Sequence, residues 1–344
     1  MSGDRTNDRK IEHIRILEND RETERAMGHF DHVRLIHRAL PEISLEEIDT
    51  GTTFLGKRLK LPLLISSMTG GDHELVRRVN RNLAEAAEEC GVAMGVGSQR
   101  VQFTHPPARE SFALRDAAPT TLLFANLGAV QLNLGFGLEQ CREAVGTLGA
   151  DALHLHLNPL QEAVQPEGDT DFRGLADRIR EIVAGLPVPV ILKEVGSGFS
   201  PADVALAHAA GIRHIDLAGA GGTSWSRIES HRHASPAART LGMLFQDWGI
   251  PTPEALRLLK PWQDRVDFIA SGGVRSGIDM ARAIILGARL CGMAAPFLRP
   301  AMNSPDAVVE TIRKLEREFR TAMFLLGTPD VASLHANEAL LLPA

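Results

Sequence analysis

Short apolar runs alternating with longer amphipathic stretches constrain this chain more than any other feature. The runs lie at Pro62–Met68, Val92–Ser98, Leu122–Leu127, Ala152–Asn158, Val190–Val195, His214–Ala218, Phe268–Ser271 and Leu290–Ala295. Continuous runs of this kind read as strands buried on both faces. Between them lie helical faces. Leu75, Val79, Leu83, Ala86 and Cys90 share one, Ile278, Ala281, Ile285 and Ala288 another. Val308, Ile312, Leu315, Phe319 and Met323 form the clearest, after a Ser304-Pro305 start. Strand–helix alternation repeated about eight times predicts an α/β chain folded as one (β/α)8 barrel. A doubly wound open sheet is the alternative that the pattern alone does not separate. Residues 1–60 are expected to form an N-terminal arm packed on the barrel, 61–327 the barrel and 328–344 a C-terminal tail. Arg227–Ser235 reads as a surface loop after the sixth strand.

Composition narrows the function. With 344 residues, 44% hydrophobic, the chain can build a large core without staples. A net charge of -6 excludes a general nucleic-acid or membrane-surface binder. Cys90, Cys141 and Cys291 are widely spaced and in no CxxC pair, which argues against a disulfide framework or a zinc site and suits a reducing cytoplasm. The first eight residues are polar, with no secretion signal, and no apolar run is long enough to span a membrane. There is no tyrosine, so proton chemistry falls to other side chains, water or a cofactor.

Barrel active sites gather at the C-terminal ends of the strands. Here those ends carry Ser67-Met68-Thr69-Gly70-Gly71, Gly97-Ser98-Gln99-Arg100, Asn126-Leu127-Gly128, His156-Leu157-Asn158 running on to Gln161-Glu162, Lys193-Glu194, Gly219–Ser224, Gly272-Gly273-Val274-Arg275 and Ala294-Ala295. The glycine loops after strands six and seven, with the turn after strand eight, predict a phosphate site, since bare backbone N–H groups and a helix N-terminus attract anions. Lys193 points into the mouth, where it needs an anion or must lose its proton. Glu194 is a poor partner for it, because neighbours on a strand point opposite ways. Alternation puts His154, His156 and Asn158 on one strand face. Glu162 beside a phosphate pocket is the usual setting for magnesium completed by water and phosphate oxygens, although a plain surface loop explains the spacing equally well. The short basic Arg9-Lys10 segment, taken alone, is a solvated tail.

Taken together and in order, these motifs resemble the type 2 isopentenyl-diphosphate isomerase family from about Arg9 to Gly327. They are Arg9-Lys10-x-x-His13, Ser67–Gly71, Gly97–Arg100, Ala125–Gly128, His156–Glu162, Gln165–Asp169, Gly221–Thr223 and Ser271–Arg275. The resemblance implies a barrel holding FMN, contacted by Ser67, Met68, Thr69, Gly70, Ser98, Asn126, Lys193, Thr223, Gly272, Gly273, Val274, Arg275, Ala294 and Ala295. It implies Arg9, Lys10, Ser98, Gln99, Arg100 and Gln161 at the diphosphate substrate, which turns the N-terminal tail into a lid. Glu162 would hold Mg2+. His156, Asn158 and Gln161 would line the reacting end. The implied reaction is a 1,3-proton shift between isopentenyl and dimethylallyl diphosphate, with reduced FMN as acid/base. Gln161 would position or relay the second proton, oriented by His156 and Asn158. NADPH would serve only as reductant, visiting transiently, and the protein would be a homo-oligomer, tetramer or octamer. An FMN-dependent 2-hydroxyacid-oxidase-like oxidoreductase is the alternative. It would need a histidine base after strand six, where this sequence reads Gly219-Ala220-Gly221-Gly222-Thr223. A non-catalytic flavin-binding protein would not need Arg9, Lys10, Arg100, Gln161 and Glu162 together.

Overall fold

The computed structural model describes residues 12, 13, 15–17, 19–68 and 70–343. Arg9, Lys10 and Thr69 therefore lie outside the described residues. A hairpin of β1 (Thr52–Phe54) and β2 (Lys57–Leu59) precedes eight strands: β3 (Leu63–Ile65), β4 (Ala93–Gly95), β5 (Leu123–Gly128), β6 (Ala152–His156), β7 (Val190–Lys193), β8 (His214–Asp216), β9 (Asp267–Ser271) and β10 (Ala288–Met293). All eight pair in parallel in chain order, and β10 closes on β3 through Cys291 opposite Leu63. The strands sit inside the eight expected runs or within two residues of them. Closure into a barrel, rather than an open sheet, is what the alternation left undecided.

The helices that matter below are α1 (Glu74–Cys90), α2 (Leu138–Leu148), α3 (Pro159–Val164), α4 (Leu175–Gly185), α5 (Pro201–Ala209), α6 (Trp225–Arg232), α7 (Pro236–Leu244), α8 (Thr252–Leu258), α9 (Gly277–Ile285), α10 (Ala295–Asn303) and α11 (Pro305–Leu326). Local chemistry sets their ends. In α11, Pro305 occupies the first turn, the Ser304 hydroxyl accepts from Ala307 N–H at 3.2 Å, and left-handed Gly327 stops the helix. Its face Val308, Ile312, Leu315, Phe319 and Met323 is buried as the period required. Among the described residues, no helix is long and apolar enough to cross a membrane.

Two expectations need correction. The stretch from Arg227 is not a surface loop: Trp225–Arg232 is the helix α6, capped by Ser224, with Ile228, Glu229 and Ser230 buried. Its sparse apolar content hid the helical period, because its inward face is polar. The face assigned to Ile278 and Ala288 is also wrong. Gly287, at φ 100°, ends the helix, so that Ala288 begins β10, and Ile278 is 45% exposed. Met280, Ala281, Ile284 and Ile285 face the core instead.

The chain before β3 closes both ends of the barrel. At the bottom, Phe54 and Leu59 of the hairpin pack with Leu64, Phe124, Ile191, Ile269 and Leu290 from the strands. The Phe54 ring lies 6.4 Å from that of Phe124 and 5.6 Å from that of His214. Phe54→Ala is expected to cost about 3–5 kcal/mol, the range for emptying a buried aromatic site. A denaturant titration measures it; a loss below about 1 kcal/mol would mean that the hairpin is not part of the core. At the top, residues 23–25 run along the mouth: Ser224 N–H donates to Thr23 O at 2.7 Å and Arg25 N–H to Gly222 O at 3.2 Å. The Arg25 side chain donates to the carbonyls of Gly196 and Gln246, both at 2.8 Å.

Candidate active site

A cavity of about 750 Å³ opens at the C-terminal ends of the strands, where the strand-end motifs converge. Strand register builds its floor. His156, Lys193 and Asp216 stand opposite one another across β6, β7 and β8. Lys193 Nζ donates to Asp216 Oδ2 at 2.8 Å. Asp216 is fully buried and also accepts from the Ser271 hydroxyl. The anion that Lys193 required is thus one strand away, and not its neighbour Glu194. Glu194 faces the other way and accepts N–H bonds from Val195, Gly196 and Ser197. Burial pushes its carboxyl up to about 7 against those three donors.

His154 lies deeper, fully buried, its Nδ1 3.5 Å from the Ser67 hydroxyl. Burial lowers its pKa from the ordinary 6.5 to about 3, so the ring is neutral. A base whose folded pKa is depressed contributes stability in full above its unfolded pKa and loses it as pH falls. His154 should therefore destabilise the fold between about pH 6.5 and 3, by about 2 kcal/mol at pH 5. Denaturant midpoints of the wild type and His154→Gln at pH 7 and pH 5 check this. Equal pH dependence in the two proteins would refute it.

One wall carries a chain of hydrogen-bonded polar side chains. His156 Nδ1 stands 2.7 Å from Asn126 Oδ1, an acceptor, which places a proton on that nitrogen. Asn158, at the N-terminus of α3, donates to Gln161 Oε1 at 3.1 Å and to Glu162 Oε1 at 2.8 Å. So Asn158 orients Gln161, while His156 is held by Asn126. Gln161 Nε2 then donates to Glu229 Oε1 at 2.7 Å. Glu229 was absent from the sequence expectations, although its side chain is wholly buried. Its Oε1 also faces His13 Nε2 at 3.2 Å, and its Oε2 takes Arg232 at 2.6 Å. Burial raises its pKa, but donation from His13, Arg232 and Gln161 prevails and holds it at about 2. In the sequence, only an i,i+3 Glu229–Arg232 pair hinted at this residue.

At the opposite end lies a backbone cradle. Gly221, Gly272 and Gly273 all have positive φ, at 125°, 89° and 84°. A Cβ on Gly222 would stand 3.0 Å from Gly273 N. Thr223, Val274, Ala294 and Ala295 complete this side, and Ala295 opens α10 at the cavity. The Arg275 guanidinium donates to Arg25 O, Ala26 O and Gly221 O, and so ties the N-terminal segment to the cradle. Glycine-bared backbone next to a helix N-terminus suits a phosphate group, and Lys193 lines the same cavity.

The remaining expected residues divide. Ser67, Met68, Ser98 and Arg100 line the cavity, and Arg100 reaches Asp169 at 3.3 Å. Gly70 packs under Phe112, where a Cβ would stand 2.5 Å from the ring. Gln99 is turned into the barrel wall: it is fully buried, donates to Ala144 O at 2.9 Å and accepts from Asn126 N–H at 3.0 Å. Glu162 accepts from Asn158, Gln165 and Asp169 N–H, an arrangement that fixes a carboxylate facing the cavity. Among the described residues, no cluster of three or more metal-ligating side chains exists. Glu162 is thus a single carboxylate at the cavity wall, a donor of the kind that a hard cation shares with water and phosphate oxygens.

Known proteins with similar sequences carry this geometry further. The chain matches the FMN-dependent dehydrogenase family over residues 4–105 and 142–340. The isopentenyl-diphosphate delta-isomerase of Paracoccus zeaxanthinifaciens is 57% identical over 97% of this chain and 96% of its own. That of Hydrogenovibrio crunogenus is 53% identical over the full length of both, and that of Halobacterium salinarum 46% identical over 98% of this chain and 94% of its own. Among solved structures, a flavocytochrome b2 mutant with benzoylformate superposes with a TM-score of 0.66 at 17% identity, covering 96% of this chain and 78% of that one. A mandelate oxidase mutant gives 0.62 at 19% identity, covering 90% and 88%. At these identities the two structures speak for the fold alone. The chain belongs to the isopentenyl-diphosphate delta-isomerase family, built on the barrel of the FMN-dependent dehydrogenases.

Proposed function

We propose that this protein interconverts isopentenyl and dimethylallyl diphosphate by a 1,3-allylic proton shift, with FMN in the barrel mouth. The observation that carries the reading is Gln161, which lines the same cavity as the glycine cradle and is backed by the buried Glu229 carboxylate behind it. The cradle of Gly221–Thr223, Gly272–Arg275 and Ala294-Ala295 would hold the FMN phosphate. Ser67, Met68, Thr69, Gly70, Ser98, Asn126 and Lys193 would border its ring. In reduced form FMN supplies an electron-rich face and a proton donor to the alkene.

The chain's own groups do the rest. Protonating an unactivated alkene creates tertiary positive charge, which a dry pocket must stabilise. A proton next to such a centre is strongly acidic, so a weak base is enough to remove it. Glu229, held ionised, is that base, and Gln161 stands between it and the cavity. Lys193, held by Asp216 at 2.8 Å, would lie beside the flavin ring. Ser98 and Arg100, with Arg9 and Lys10 from the N-terminal segment, would bind the diphosphate, and Glu162 its magnesium. Remote binding energy of this kind positions the reacting carbons. NADPH would reduce the flavin without being consumed per turnover. Residues 1–60 would act as arm and lid on the barrel of 61–327, with 328–344 as a tail. A cytoplasmic homo-oligomer, tetramer or octamer, completes the reading, and the three thiols are unpaired.

The oxidoreductase alternative has the fold of its solved neighbours in its favour. It lacks a base: the loop after β8 carries no histidine, and His231 is engaged with Asp20 at 2.7 Å. The test is anaerobic incubation with FMN, NADPH, magnesium and isopentenyl diphosphate in heavy water, read by NMR. Deuterated dimethylallyl diphosphate that depends on flavin reduction, without stoichiometric NADPH loss, supports the isomerase. A reducible bound flavin with no product, bleached instead by 2-hydroxy acids, overturns it.

A further inference from the structure

Arg232 ends α6, the helix that carries Glu229, and its side chain is only 10% exposed. Its guanidinium serves three carboxylates from three separate segments. Nη1 donates to Glu229 Oε2 at 2.6 Å, Nη2 to Glu167 Oε1 at 2.7 Å in the loop after α3, and Nε to Glu12 Oε2 at 3.1 Å in the N-terminal segment. Isolated surface ion pairs contribute little, but a shielded fork bonded on three sides has one allowed geometry. Lysine cannot reproduce it, since an ammonium lacks the planar fork.

The N-terminal segment meets this ion pair at both ends. Glu12 bonds Arg232, while the next residue, His13, faces the other oxygen of Glu229 at 3.2 Å and packs edge-on against Trp225. The groups facing Glu229 are thus His13 from the N-terminal segment, Gln161 from α3 and Arg232 from its own helix. Those facing Arg232 are Glu12, Glu167 and Glu229. With the segment docked, the carboxylate is fixed on one oxygen and presents the other to Gln161. With the segment displaced, Arg232 loses one anchor and Glu229 loses His13 together.

We propose that Arg232 is a positioning residue that couples docking of the N-terminal segment, and with it capture of the diphosphate, to the placement of Glu229 beside Gln161. The inference rests on the isomerase reading given above. Its consequence is that proton transfer is confined to the closed, diphosphate-bound state, which protects a reactive cationic centre from water.

The experiment uses the full-length, FMN-loaded, reduced enzyme with magnesium and isopentenyl diphosphate. Arg232→Gln is expected to lower kcat about 100-fold, the lower end of what a correctly positioned proton-transfer group contributes. It should also move the acidic limb of the kcat–pH profile up by about one unit, because Glu229 loses the guanidinium that holds its Oε2. Arg232→Lys should recover the limb but no more than about a tenth of kcat, since charge returns without the fork. Glu12→Gln should raise KM with the limb unmoved. Amide exchange over residues 12–25 should slow on diphosphate binding in the wild type and not in Arg232→Gln. Retained flavin absorbance controls for folding. Arg232→Gln with kcat within twofold of wild type and an unmoved limb overturns the proposal. Should that variant lose FMN, Arg232→Lys and Glu12→Gln decide: wild-type kcat and KM in both overturn it equally. A wild type without isomerase turnover instead removes the underlying reading.

Discussion

Gln161→Ala is expected to lower isopentenyl diphosphate turnover by about 10²–10⁴-fold, the usual worth of a positioned proton-transfer group, and to leave FMN affinity nearly unchanged. The asymmetry follows from geometry. Gln161 bonds Asn158 and Glu229 on the reacting wall, while the glycine cradle lies at the other end of the cavity. Removing the amide opens a gap between the substrate and Glu229, so the carboxylate no longer meets the departing proton. Glu229→Gln should cost a comparable factor, since it keeps the shape and removes the base. The double variant should cost little more than either single one, because the two act as a unit. Steady-state kinetics beside flavin fluorescence titration reads both quantities. Turnover surviving within about threefold in Gln161→Ala would leave the relay without a role.

Gly272→Ala is expected to abolish FMN binding at micromolar flavin, an affinity loss of about 100-fold or more. Two independent strains combine here. The backbone sits at φ 89°, where a side chain costs about 1–2 kcal/mol. The added Cβ would stand 2.1 Å from Gly219 O and 2.8 Å from Gly219 N, a backbone contact that no rotamer change relieves. The loops after β8 and β9 must part, and the phosphate cradle between them widens. Gly56→Ala provides the control: it has φ 76° with nothing within 4 Å of the new Cβ, so it carries the conformational cost without the clash. Fluorescence titration of both variants separates the terms. Wild-type FMN affinity in Gly272→Ala would show that the cradle does not hold the cofactor's phosphate.

The resemblance and the strand-end rule located the polar and glycine-rich ends of the strands that line the cavity, but not the N-terminal segment and α10 residues that also line it, such as Leu17, Arg21, Glu24, Leu298 and Arg299. Gln99 sits in a motif at a strand end, but its amide is drawn into the wall by Ala144 O and Asn126 N–H, two backbone groups that local sequence does not reveal. Asp216, the counter-ion of Lys193, is adjacent only across a parallel strand pair, 23 residues away along the chain. Glu229 escaped notice because its helix has few apolar residues, so the segment looked like a solvated loop. Its inward face is polar: Ser226 bonds Gly242 O, Ser230 bonds Arg227 O and Glu229 accepts from Gln161.

The sequence by itself determined the eight strands, the order of barrel elements, the glycine turns and the placement of Gln161, Glu162 and Lys193 at strand ends. Those are consequences of local periodicity and of backbone sterics, which act over a few residues. Only the tertiary structure decided that the barrel closes through β10 and β3, that the hairpin plugs its floor, and that Arg232 joins Glu12, Glu167 and Glu229. Each of those depends on groups far apart in the chain being brought within hydrogen-bond or packing distance. Buried charge in particular is tolerated only where its partners converge, and convergence is a property of the folded chain.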